Sequence, residues 1–252
     1  MDIESHMDTC IAQPLDSSRH RTLRVGAFPD YSHSSRQQHA ILGWSEIALA
    51  AADYPLALLK HTETGQFNVV ALYGFQPGRN LYVAGSHWYA TYIPQNSLRY
   101  PFFVSATGAL GMAIDERSEV FGVPDGDRLF DDAGDPTPYA KQLATALSKL
   151  RQDFEDMRAF VNELTQLQLV RPLEVILRME DGAEARVGGL YSISDRAQSS
   201  LPAESVVRLH RAGYLQALSI LMASLAQINR LQQLHNAQSD PRIRELDLVL
   251  RD

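Results

Sequence analysis

The residues with the densest potential for binding chemistry lie in an aromatic and arginine-rich segment, residues 79–103. Rigid aromatic rings bury a large area at a small entropy cost, and arginine is enriched beside them in binding hot spots. We predict that a ligand or partner contacts Arg79, Tyr82, His87, Trp88, Tyr92, Arg99 and Tyr100. An extended peptide or a sugar suits such a surface better than a phosphate-rich ligand. The same residues would also fit alternating core and surface positions of twisted strands, and that alternative stays open.

A second candidate chemistry is metal binding at His61 and Glu63. Their spacing is that of the histidine and carboxylate of a facial-triad iron site. A third ligand would have to come from His87, His210 or His235. The pair lies at a predicted hairpin tip, where polar side chains are common in any case. We therefore predict no metal and no cofactor, and keep His61 and Glu63 as the candidate ligands.

The common catalytic motifs are not found in the sequence. It contains no Gly-x-Ser-x-Gly elbow, no His-Glu-x-x-His pair and no glycine-rich phosphate loop. The single cysteine, Cys10, lies in a polar N-terminal segment, which is a poor setting for a preorganised thiol. An enzyme would need a site of dispersed residues near strand ends. The candidates are His87, Asp115, Glu116 and Asp131, with His61 and Glu63 for a metal.

The segments that would position these residues are mostly strands in the first half of the chain. Residues 56–59 and 67–72 flank Gly65 and predict a β-hairpin. A second hairpin is predicted for residues 173–179 and 185–193, around the tight-turn dipeptide Asp181-Gly182.

Helices dominate the second half. Leucine and other apolar residues recur from 143 to 164 at spacings of three and four, which predicts a long amphipathic helix. Thr137 suits its N-cap, and Pro138 suits the first helical position. A shorter helix is predicted for residues 202–212, and a second long amphipathic helix after Gly213, to about residue 234. The predicted fold is α+β: a β-rich N-terminal half of antiparallel hairpins, packed with two long amphipathic helices and a second hairpin.

Charge and composition limit the class of protein. The 252 residues include 23 Lys plus Arg and 30 Asp plus Glu, so the net charge is −7. This balance argues against a nucleic-acid binder, which needs excess cations to neutralise phosphates. No segment is apolar enough to span a membrane, and the N-terminus lacks the apolar run of a signal peptide, so we expect a cytoplasmic protein. The predicted organisation is a flexible tail at 1–22, a single domain at 23–235 and a C-terminal extension at 236–252. Residues 246–250 could be an edge strand, or a last short helix could start near residue 240.

Several segments, in this order, resemble the SapC family of bacterial proteins. They are ALYGFQPGRNL at 71–81, YIP at 92–94, RYPF at 99–102, IDE at 114–116, LFD at 129–131 and GLYSI at 189–193. The resemblance covers residues 23–235, and Tyr82 stands where the family usually has phenylalanine.

The resemblance implies a setting more than a mechanism. The family name refers to a bacterial paracrystalline surface layer (S-layer). Relatives are encoded beside TonB-dependent receptors and beside halogenase-like and cupin-like proteins. The partner implied is thus a cell-surface protein, a receptor or a halogenase-like or cupin-like enzyme. The resemblance supplies no catalytic residues.

Two functions remain open at the level of sequence. The first is a non-catalytic binding or accessory protein that holds a peptide segment or partner protein through the aromatic and arginine residues named above. The alternative is a peptide- or glycan-modifying enzyme, with or without a metal. A homo-oligomer, paired through the two long helices, is a third prediction.

Overall fold

The computed structural model describes residues 12–26 and 31–251. The helices are α1 Ile47–Ala50, α2 Gln95–Leu98, α3 Pro138–Gln166, α4 Asp195–Ser199, α5 Ala203–Arg211, α6 Tyr214–Ser224 and α7 Ile228–Gln238. The strands are β1 Gln13–Pro14, β2 Arg24–Val25, β3 His39–Ile41, β4 Leu56–Lys60, β5 Phe67–Leu72, β6 Val83–Ala84, β7 His87–Trp88, β8 Phe102–Val104, β9 Met112–Ile114, β10 Asp127–Arg128, β11 Val170–Met179, β12 Glu184–Ile193 and β13 Ile243–Leu250. This mixture of helices and antiparallel strands confirms the α+β class.

A six-stranded antiparallel sheet forms the centre of the fold, in the order β13-β11-β12-β4-β5-β3. Both predicted hairpins, β4–β5 and β11–β12, belong to it. They are joined where Leu190 and Tyr191 pair with Leu59 and Leu58. In β11, alternate side chains such as Leu173 are buried, whereas residues 56–59 of β4 are all buried, so the sheet is packed on one face at β11 and on both faces at β4. Strict alternation is the pattern expected of a sheet that is packed on one face.

The long helix α3 spans 29 residues and covers two hydrophobic clusters. As predicted, Thr137 is its N-cap, because the Thr137 side chain accepts a hydrogen bond from the backbone N–H of Ala140, and Pro138 follows it. Its first turns pack Ala140 and Leu147 against the small sheet β1-β9-β8. Its later turns pack residues such as Phe160 against the large sheet. The helix therefore joins the two packing regions.

The second predicted long helix is interrupted. Helix α6 ends at Ser224, a 3₁₀ turn covers Leu225–Gln227, and α7 begins at Ile228. The Ser224 hydroxyl donates to the Leu221 carbonyl at 2.6 Å and accepts from the Leu56 N–H at 3.1 Å. This contact with β4 lies where the helix tightens, and apolar spacing alone did not reveal it.

The structure describes parts of the predicted tail and of the predicted C-terminal extension. Residues 12–22 belong to the predicted tail. There, β1 pairs with β9 and Leu15 is buried, although the segment has no periodic apolar pattern. Residues 1–11, including Cys10, lie outside the described residues. Residues 243–250 form β13, as in the edge-strand alternative, and add a strand to the main sheet.

Candidate functional site

A cleft of about 610 Å³ opens between the β3 edge of the large sheet, helix α3 and the segment that follows α2. We call it the basic cleft. Its lining consists of Ala12, His33, Gln37, His39, Ile41, Leu42, His61, Thr64, Gln66, Phe67, Asn68, Asn96, Arg99, Tyr100, Phe103, Val104, Phe154, Met157 and Arg158. Five of these side chains are histidine or arginine, and none is acidic. A lining of this kind favours a ligand that combines an anionic group with some apolar surface.

One wall of the basic cleft is a stacked pair of rings. The imidazole of His33 lies parallel to the Tyr100 ring, with centroids 4.0 Å apart and an interplanar angle of 1°. The Gln37 amide lies 3.1 Å from His33 Nε2. On the other side, the Tyr100 hydroxyl donates to Asp115 Oδ2 at 3.3 Å. These contacts hold the His33 imidazole and the Tyr100 ring, which is 9% exposed, in fixed positions at the cleft.

Arg99 is held beside this stack. Its Nε donates to Asn96 Oδ1 at 2.7 Å, and its Nη1 donates to the Phe102 carbonyl at 2.9 Å. The guanidinium carbon lies 4.5 Å from the centroid of the Phe103 ring, a cation–π contact. The planar cation is therefore preorganised at the cleft and does not have to be ordered by a ligand.

The opposite wall belongs to α3. Phe154, Met157 and Arg158 line the cleft from two successive turns of that helix. Arg158 is exposed, and Met157 is buried. The wall thus combines an apolar base with a second positive charge at the surface.

The buried carboxylate of Glu46 positions α2, which carries Asn96. Its Oε1 accepts hydrogen bonds from the Gln95 N–H at 2.7 Å and from the Tyr92 hydroxyl at 2.8 Å, and its Oε2 accepts from the Gly43 N–H at 2.7 Å. Burial raises the pKa of Glu46 above its ordinary value, although these hydrogen bonds oppose the change. Glu46 is therefore a positioning residue for α2 and, through Asn96, for Arg99.

The structure divides the predicted aromatic and arginine residues between different environments. Tyr82 and Trp88 are 1% and 6% exposed and belong to the core. Trp88 Nε1 donates to the Tyr54 hydroxyl at 2.7 Å, and the Tyr82 hydroxyl donates to the Asp53 carbonyl at 2.8 Å. Half-buried Tyr92 packs against the same core and bonds to Glu46. Of the seven predicted contact residues, Arg99 and Tyr100 line the basic cleft, whereas Tyr82, Trp88 and Tyr92 pack in or against the core.

Arg79 and His87 lie elsewhere. Arg79 Nη2 donates to the Gln238 carbonyl at 3.0 Å, and the Gln238 side chain donates to the Leu81 carbonyl at 2.8 Å. Arg79 therefore ties the end of α7 to the loop before β6. His87 is exposed in the β6–β7 hairpin, where its ring contacts Tyr89 and lines a shallow recess with Asp53.

Of the two candidate metal ligands, only His61 lines the basic cleft. Glu63 is exposed at the tip of the β4–β5 hairpin. Within residues 12–26 and 31–251, no group of three or more His, Cys, Asp or Glu side chains is placed to hold a metal ion.

Each of the dispersed acidic candidates forms an ion pair or hydrogen bonds with other residues of the chain. Asp115 pairs with Arg117 at 3.0 Å, and Glu116 contacts Arg19 and His20, each at 2.6 Å. Asp131 accepts hydrogen bonds from the backbone of its own turn, and these lower its pKa.

Three basic residues of the cleft had no signal in the sequence: His33, His39 and Arg158. His33 precedes a 3₁₀ turn at Ser34–Arg36, His39 begins β3, and Arg158 lies on the polar side of α3. Each is ordinary in its own segment. Only the approach of α3 to the sheet edge makes them neighbours of one cleft.

The fold and cleft define an α+β protein built on an antiparallel sheet, with a basic, partly aromatic recess at one edge. The family model for SapC matches residues 15–231, and the chain belongs to the SapC family. No curated protein and no solved structure matches the chain. None of the helices that the structure describes has the length and apolar character needed to cross a membrane.

Proposed function

We propose that this SapC-family protein is a non-catalytic binding or accessory protein that holds a segment of a partner protein in the basic cleft. The observation that carries the proposal is the lining of the cleft, with five basic side chains, no acidic one and aromatic rings between them. An extended peptide with acidic and aromatic side chains complements this lining in charge and shape. The family resemblance favours a cell-surface protein, a receptor, or a halogenase-like or cupin-like enzyme as the partner.

The probe is a fluorescein-labelled peptide of alternating Glu and Phe, and the reference is the same peptide with Gln in place of Glu. We expect the wild-type chain to bind the Glu peptide at least roughly tenfold more tightly, because each charge-assisted hydrogen bond adds affinity. Arg158→Glu should remove this preference. Fluorescence anisotropy measures both affinities. The matched control is Arg151→Glu, which changes an exposed arginine on the same helix that does not line the cleft. Equal losses in the two variants, or no acidic preference in the wild type, would contradict the proposal.

A modifying enzyme is the alternative, and the presence of His33, His39 and His61 at one cleft favours it, because imidazole transfers protons near neutral pH. Mass spectrometry of the peptide after prolonged incubation separates the two functions. An unchanged peptide mass supports binding alone. A changed mass that requires these histidines supports the enzyme.

The partner itself can be tested in the native bacterium. Affinity capture with the wild-type chain, compared with Arg158→Glu, should enrich a surface protein, receptor or enzyme only with the wild type. Partners retained equally by both chains do not use the basic cleft.

A further inference from the structure

The strand β13 forms one edge of the large sheet, and the structure leaves its outer side open. In the described part of the chain, β13 pairs with β11 and with no other strand. The α7 side chains of Gln232 and Asn236 cap only its first residue, Ile243. An exposed strand of eight residues is a template for pairing with another chain.

The backbone directions along β13 follow from one hydrogen bond. The N–H of Arg251 donates to the Pro172 carbonyl at 2.9 Å, so odd-numbered residues near this end turn their backbone groups towards β11. Leu246, Leu248 and Leu250 therefore turn their N–H and C=O groups outward. These are the groups that a further strand would bond.

The apolar face of the sheet continues to this edge and is only partly covered there. Leu246, Leu248 and Leu250 pair with Leu177, Val175 and Leu173, which are all buried. Leu248 and Leu250 are each 37% exposed. Adding a strand beside β13 would cover this apolar stripe.

The opposite face carries two rows of alternating charge that end differently at the edge. In the first row, Arg178 contacts Glu184, Glu245 and Asp247, with its closest approach 2.6 Å to Asp247, so the row ends in carboxylates. In the second row, Glu174 contacts Arg186 at 3.5 Å and Arg251 at 2.7 Å, so the row ends in a guanidinium.

We propose that β13 is a self-association surface whose occupant is the β13 strand of a second copy of this chain. Glu245 and Arg251 are equally far in sequence from Leu248. A two-fold axis at Leu248 therefore places Glu245 opposite Arg251 of the second copy, and both charge rows continue across the interface. Leu246 then faces Leu250 of the second copy, and the outward backbone groups form an antiparallel ladder. Registers centred on Leu246 or Asp247 would instead oppose two carboxylates, so charge complementarity selects the two-fold at Leu248 over them.

Sedimentation velocity over a dilution series tests the surface. We expect the wild type to reach twice the chain mass of 28.1 kDa. Glu245→Arg and Arg251→Glu should each weaken the dimer by roughly 30-fold, because each change places like charges at both ends of the interface. Val207→Asp is the matched control at an exposed apolar position on α5, and it should leave the dimer unchanged.

Mixing the two charge variants separates self-association from misfolding. In a dimer of one Glu245→Arg chain and one Arg251→Glu chain, both ends pair opposite charges again, so the mixture should recover the wild-type affinity. A folding defect in either chain would not be repaired by mixing. A monomeric wild type at every concentration, or single variants that dimerise like the wild type, would overturn the proposal.

Discussion

Replacing Trp88 by alanine should lower the free energy of unfolding by about 3–5 kcal/mol. Trp88 is 6% exposed, and its ring packs edge-on against Tyr31 and Tyr73 at centroid distances of 5.2 and 5.4 Å. Alanine would leave a large cavity and would remove the hydrogen bond from Nε1 to the Tyr54 hydroxyl. Urea denaturation, followed by far-UV circular dichroism, measures the change.

Tyr89 is the matched control because it is the next residue and is 47% exposed. Tyr89→Ala should change the free energy of unfolding by less than about 0.5 kcal/mol. Trp88→Phe should fall between the two, since it keeps part of the ring contacts. A Trp88→Ala chain that unfolds like the wild type but fails to bind the acidic peptide would instead restore the prediction that Trp88 contacts the ligand.

The composition of residues 79–103 predicted a binding surface, but Tyr82 and Trp88 of this segment lie in the core. Tyrosine and tryptophan carry polar groups, which suggests contact with water, but here those groups find partners inside the protein. The Tyr54 hydroxyl bonds to the Tyr92 carbonyl, and the Tyr82 hydroxyl bonds to the Asp53 carbonyl. Because Asp53 and Tyr54 lie outside residues 79–103, no window of sequence around Trp88 could reveal these contacts.

The elements that were predicted correctly depend on local rules. Thr137 and Pro138 begin α3 through capping geometry, and the Asp181-Gly182 dipeptide lies in the turn between β11 and β12. The cleft depends on contacts between distant segments. Arg99 is among the predicted contact residues because it lies in an aromatic run, whereas nothing in the sequence was a reason to include His33 and Arg158, which line the same cleft.

Replacing Glu46 by alanine should lower the free energy of unfolding by about 3 kcal/mol or more, because three donors lose their buried acceptor. These donors are the Gln95 and Gly43 N–H groups and the Tyr92 hydroxyl. The same variant should weaken binding of the acidic peptide, since α2 carries Asn96, the partner of Arg99. Urea denaturation and fluorescence anisotropy measure the two effects.

The variant Glu46→Gln tests how ionisation of the Glu46 carboxyl group changes the free energy of unfolding with pH. Burial raises the pKa of Glu46 above its ordinary value of 4.5, so the folded chain binds this proton more tightly than the unfolded chain. The stability that Glu46 contributes through this proton is therefore fully present below pH 4.5 and is lost as the pH rises through the raised pKa. The stability of the wild type relative to Glu46→Gln should fall as the pH rises above 4.5 and passes through the raised pKa of Glu46.

The matched control for this titration is Glu155→Gln, at an exposed position on α3. Its free energy of unfolding should stay within about 0.5 kcal/mol of the wild-type value across the same pH range. A relative stability that rises with pH would mean that the three hydrogen bonds outweigh burial and lower the pKa of Glu46. In that case the carboxylate would hold α2 as a charged acceptor, and the wall that carries Arg99 would loosen in acid instead of tightening.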